Sequence, residues 1–180
     1  MPTFVALLRG INVGKAKRVP MAELRAMLTE LGHSSVATLL NSGNAVFKSS
    51  KATASTHAAA IALAISDKLK FEVPVIVKSA NELAEIIAEN PLIEHVADVS
   101  RLLVVFVQDA KALTELRTIE HLIVAPERFV IGAGAAYLHC ASGILESKAG
   151  AALLAKAGKS VTTRNWATVL KLQALVADAG

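Results

Sequence analysis

The feature that most constrains this chain is the order of its apolar runs over the first 78 residues. Residues 3–8 form a short apolar run that Gly10 ends, which predicts a strand. A polar, basic loop follows to Val19. Pro20 suits the first turn of a helix. Met21, Leu24, Met27, Leu28 and Leu31 then recur at helical spacing over 21–31, with Gly32 as the stop. Two strand-like runs, 35–40 and 45–48, flank Asn41-Ser42-Gly43-Asn44, a tight-hairpin signal. Residues 53–69 are Ala-rich and periodic, which predicts a helix. Residues 73–78 read as a strand, with Pro74 confining it to a sheet edge or to the first residues of the strand.

The order is therefore βαββαβ, the split βαβ or ferredoxin-like plan, with right-handed crossovers. The second half follows a similar order without any sequence repeat. It has a linking helix at 81–88, a strand at 101–107 and a helix at 111–120. A hairpin of 129–131 and 136–140 turns around Gly132-Ala133-Gly134, and a helix follows at 148–157. Thr163 is expected to cap a last helix running to about residue 177, and no final strand is evident. The expected fold class is α+β: two ferredoxin-like (α-β plait) subdomains, residues 1–79 and 80–180, packed as one body with a C-terminal helix. The 180 residues, 53% hydrophobic, suffice for such cores and exclude intrinsic disorder.

Charge is unevenly placed. Lys and Arg number 19 and Asp and Glu 15, yet residues 1–18 hold Arg9, Lys15, Lys17 and Arg18 and no acid. The rest of the chain balances. A local basic segment suggests an anionic partner, either a phosphorylated small molecule or nucleic acid. Aromatic residues are only 4% of the chain, which argues against a base-stacking platform. The longest apolar run, residues 58–65, is far too short for a membrane span. The first residues lack the pattern of an export signal and there is a single cysteine, Cys140, so a cytoplasmic protein with no membrane partner is expected.

In the ferredoxin-like plan the loop after the first strand and the first hairpin lie at one end of the sheet. The loop before the fourth strand, near Lys70, joins them. That end collects Arg9, Asn12, Gly14 and Lys15 with Asn41, Ser42 and Asn44. Backbone N–H groups beside a helix N-terminus favour an anion, and Arg offers a forked donor. The same residues also serve as turn chemistry. Gly10 and Gly14 have three residues between them, one fewer than the motif needs, and Lys15 precedes Ala16, so the loop is not a P-loop. Thr162-Thr163-Arg164-Asn165-Trp166 places Arg164 in a first helical turn, against the helix dipole. Such a position suggests a ligand or a carboxylate partner for Arg164, and its neighbour Asn165 is a candidate ligand-binding residue with it. Ser147-Lys148 are sequence neighbours and do not face each other, so they are not a catalytic dyad. The five histidines lack metal-ligand spacing, and no cofactor is implied.

Leu8-Arg9-Gly10-Ile11-Asn12-Val13-Gly14, Val19-Pro20-Met21-Ala22-Glu23-Leu24 and Asn41-Ser42-Gly43-Asn44-Ala45-Val46-Phe47 together resemble the bacterial DUF1697 family, a domain of unknown function. Ser147-Lys148 and Thr162-Thr163-Arg164-Asn165-Trp166 match its C-terminal signature, so the resemblance covers essentially the whole chain. Lys15 stands where the family often has a second glycine. The resemblance implies two α-β plait subdomains and no assigned activity. Three functional readings follow. The first is a binding protein for an anion. The second is an acylphosphatase-like hydrolase, with Arg9 holding a phosphoryl group and Asn41 orienting water. The third is an interaction module that forms a homodimer through an exposed sheet face or edge.

Overall fold

A computed structural model of the chain describes residues 1–50, 53–155 and 160–179. The fold is α+β, with two four-stranded antiparallel sheets and a C-terminal helix. Its contacts divide into two units, Met1–Leu83 with Lys171–Gly180, and Ala84–Leu170.

The first unit holds β1 (Thr3–Leu8), α1 (Met21–Glu30), β2 (Ser34–Leu39), β3 (Asn44–Lys48), α2 (Ala54–Leu69) and β4 (Val75–Ser79). The sheet order is β2-β3-β1-β4, all pairs antiparallel, which is the ferredoxin-like order. β4 is an edge strand and begins after Pro74, which has no N–H to give a ladder. Side chains alternate across the sheet, and Phe4, Ala6 and Leu8 of β1 pack with Phe47, Leu24, Leu28, Ile61 and Ile65 in one core. Val5 and Leu7, on the other face, are buried as well. The hairpin glycine is needed where it stands: Gly43 has φ +89, and a Cβ there would lie 2.7 Å from Leu8 Cβ.

The second unit repeats the topology. It contains β5 (Leu102–Val107), α4 (Ala110–Glu115), β6 (Arg128–Ile131), β7 (Ala135–His139), α5 (Lys148–Ala155) and β8 (Val161–Asn165). The order β6-β7-β5-β8 corresponds strand for strand to the first sheet. Two further helices run from one unit into the other, α3 (Ala80–Glu89) and α6 (Trp166–Asp178). Ser79 and Glu82 form a capping box at the start of α3, with Ser79 N donating to Glu82 Oε2 at 2.8 Å and Glu82 N to Ser79 Oγ at 3.2 Å. Tyr137 of β7 is wholly buried and donates to Ile86 O of α3 at 2.7 Å.

Two sequence expectations need correction. A final strand does exist. Val161–Asn165 pairs antiparallel with β5, Val107 opposite Val161 and Leu103 opposite Asn165. Thr163 is therefore mid-strand and not a cap. The cap of α6 is Asn165, whose Oδ1 accepts from Thr168 N at 2.8 Å. Arg164 lies on the strand as well, so its supposed conflict with a helix dipole disappears. The helix expected over 111–120 is α4 followed by a 3-10 segment, Leu116–Leu122. Within that segment Leu116, Ile119 and Leu122 are spaced by three, and three residues per turn aligns them on one face toward the core. The end of the helix expected at 148–157 falls partly outside the described residues.

Candidate functional site

The end of the first sheet where β1 stops is built by three loops, and backbone bonds tie them together. Leu8 N donates to Gly43 O of the hairpin at 2.8 Å, and Arg9 N to Pro74 O of the α2–β4 loop at 3.0 Å. Lys17 Nζ reaches Glu72 O of that same loop at 3.0 Å. The loop between β1 and α1 turns through left-handed conformations at Gly10, Asn12, Gly14 and Lys17. Asn12 pins it. Its Nδ2 donates to Val19 O at 2.9 Å and to Asn41 O at 2.7 Å, and its Oδ1 accepts from Val19 N at 2.9 Å.

The residues singled out from the sequence divide by what their side chains touch. Asn12, Gly14 and Asn41 line one pocket of about 310 Å³, together with Arg18, Val19, Pro20 and Met21. Lys15 is exposed on the same loop. Arg9 is half-buried at the end of β1, where burial lowers its pKa. Asn44 is fully buried, and its Nδ2 closes the hairpin onto Leu39 O at 2.8 Å and Ser42 Oγ at 3.0 Å. Arg164 and Asn165 belong to the second unit. Burial lowers the Arg164 guanidinium to about 10, and its Nη1 donates to Thr162 Oγ1 and Thr163 O, each at 2.8 Å.

Arg18, Pro20 and Met21 were not singled out as site residues. The signal for them was the last cation of the basic run, Arg18, falling two residues before the proline that opens the helix. Pro20 is the N-cap of α1 and gives no side-chain cap bond, so the first-turn N–H groups have no cap from it. An uncapped helix N-terminus with Arg18 beside it suits an anion. Glu23 also sits in this first turn and opposes that charge.

The second unit contains a larger cavity, about 550 Å³, against Ala112, Leu116, Ile119, Leu122, Ala152 and Val161, with Glu115, Thr118, His121 and Ser160 completing its lining. Its size exceeds that of the first pocket, but its walls are core side chains and it includes none of the residues that the sequence nominates. Ser147 is buried and caps α5, its Oγ accepting from Gly150 N at 3.0 Å, while Lys148 is exposed. Burial pushes the Cys140 thiol up to about 11, which keeps it protonated and unreactive near neutral pH. Among the described residues, no helix is long and apolar enough to cross a membrane, and no three His, Cys, Asp or Glu side chains are grouped to hold a metal ion.

Among solved structures, the chain is similar to the conserved bacterial protein SP0830 from Streptococcus pneumoniae. The TM-score is 0.81 at 24% identity, covering 97% of this chain and 98% of that one. At that identity the likeness speaks for the fold. No curated protein matches the chain. The model of the family described as "Protein of unknown function (DUF1697)" matches residues 1–137. That match spans the whole first plait and most of the second sheet, and the chain accordingly belongs to the DUF1697 family.

Proposed function

We propose that the first unit binds a phosphorylated small molecule in the pocket between the β1–α1 loop and the β2–β3 hairpin. The observation that carries this reading is the uncapped start of α1 forming one wall of a pocket that Arg18 also lines. Backbone N–H groups and a guanidinium are the donors a phosphate needs. Val19, Pro20 and Met21 give the same pocket an apolar side for the rest of the ligand. Its volume, about 310 Å³, is at the small end for ligand sites and suits a compact metabolite better than a duplex. The scarcity of aromatic residues disfavours single-stranded nucleic acid. The hydrolytic alternative would need Arg9 and Asn41 at one pocket, and Arg9 is not in the lining of this one.

The test is a thermal-shift series with inorganic phosphate, mononucleotides, sugar phosphates, acyl phosphates and short RNA at low and moderate salt. A ligand at a hundred times its dissociation constant stabilises by about 2.7 kcal/mol, a readable shift. The shift is expected with a phosphate-bearing small molecule. It should disappear in Arg18→Ala and persist in Lys111→Ala, an exposed cation of the second unit. A flat series, or a shift that survives Arg18→Ala, overturns the reading.

A further inference from the structure

Two histidines lie inside the core of the first unit. His33 stacks on Phe47, with ring centroids 4.3 Å apart and planes at 26°. His57 meets His33 edge-on at 4.8 Å and meets Phe4 in the same way at 4.7 Å. Both imidazoles are buried, His33 being 8% exposed and His57 3%. Neither ring nitrogen of His33 has a hydrogen-bond partner. A neutral imidazole carries one N–H and an imidazolium two, so protonation adds a second buried donor with no acceptor.

His33 also closes α1. Its N–H donates to Leu28 O at 3.1 Å and that of Gly32 to Thr29 O at 2.9 Å, with Gly32 at φ +84. This is a Schellman cap, in which His33 is the residue that returns the chain to the core. The ring is thus fastened directly to the last turn of α1.

We propose that the His33–His57 pair is an acid-released latch, which holds the C-terminal end of α1 to the first sheet while both rings are neutral and lets go when His33 is protonated. The surroundings, among the described residues, offer His33 little compensation for a charge. On α1, Glu30 is ion-paired with Lys68 of α2 at 3.3 Å, and Glu23 and Arg25 lie in the earlier turns. On α2, the only charged side chains are Asp67 and Lys68, at the far end from His57. β2 has no charged residue, and the core face of β1 carries Phe4, Ala6 and Leu8. On β3, Lys48 alternates with Phe47 and so points to the opposite face of the sheet. The C-terminus of α1 favours a cation at His33, whereas the first turn of α2, where His57 sits, disfavours one. Burial first, and His57 second, hold the His33 pKa below the ordinary value of 6.5. The unfolded chain therefore binds a proton that the folded chain refuses. The stability that the neutral pair contributes is present above about pH 6.5 and is lost as pH falls from there toward the folded value.

The experiment is urea unfolding of the full chain at about pH 7.5 and about pH 5.5, across the imidazole range. It compares the wild type, His33→Phe and the exposed-site control His95→Gln. Acidification is expected to lower the wild-type folding equilibrium constant several-fold more than that of His33→Phe, with His95→Gln following the wild type. Hydrogen exchange, corrected for its intrinsic pH dependence, is expected to rise first at Gly32 and His33. Equal acid losses in wild type and His33→Phe overturn the latch, as does exchange that rises uniformly over the unit. Should His33→Phe not fold, NMR titration of the wild-type ring decides. Titration at or above 6.5 overturns the proposal, and titration clearly below it, with the Gly32 and His33 amides opening in step, upholds it.

Discussion

Asparagine has the same donors and acceptor whether it orients a ligand or closes a loop, and Asn12 is the residue where the two roles part. Its three bonds to Val19 and Asn41 use both of its amide functions, and its φ of +56 is one that asparagine tolerates better than most residues. Asn12→Ala leaves the Val19 N–H and two carbonyls without these partners and is expected to cost about 1–3 kcal/mol. Asn12→Asp keeps the acceptor for Val19 N but sets a carboxylate against two carbonyl oxygens, so it is expected to do no better. Denaturant unfolding measures both. Lys15→Ala, on the exposed part of the same loop, is the control expected to fall within about 0.5 kcal/mol of the wild type. An Asn12→Ala protein with unchanged stability and a lost phosphate response would move Asn12 from the frame of the site to its ligand.

Elements were legible in proportion to how much their own apolar pattern decided them. β1 occupies the residues its apolar run marked, and α1, α2 and the first hairpin differ by a residue or so at their ends. β8 was not legible because Thr162, Thr163, Arg164 and Asn165 are polar and look like the approach to a helix. What makes them a strand is the pairing of β8 with the edge of β5, whose partner residues lie 54 to 62 positions earlier in the chain. The position of the candidate site was legible for a related reason. Topology alone brings the β1–α1 loop and the first hairpin to one end, whereas which asparagine faces the pocket depends on loop geometry that residue types do not specify. The corrected boundary at β8 carries its own prediction. With Asn165 as the N-cap of α6, Asn165→Ala is expected to destabilise by about 0.5–2 kcal/mol and Asn165→Asp or Asn165→Ser by much less. Thr163→Ala lacks the capping effect. Thermal melts of the four variants distinguish this from a ligand-binding role for Asn165, in which all three substitutions at that position would leave stability alone and alter only a ligand response.

At the scale of the molecule, two sheets of identical strand order arise from sequences with no detectable repeat. The shared information is the order of apolar runs and the handedness of the crossovers, and both survive wide divergence in residue identity. The similarity to the streptococcal structure, 0.81 in TM-score at 24% identity, is the same effect between chains. The end of the chain nevertheless returns to its beginning: Lys171–Gly180 groups with Met1–Leu83 and not with the sheet that immediately precedes it. Leu172, in that returning segment, is fully buried. Removing its side chain by Leu172→Ala is expected to cost about 2–5 kcal/mol, the range for large-to-small changes in a core. Stability alone would not say which unit loses it, but hydrogen exchange does. If the segment is part of the first core, faster exchange should appear within residues 1–83, and residues 84–170 should change less. Loosening confined to residues 84–170 would instead assign the whole of α6 to the second plait, and the first plait would then be complete by the end of β4.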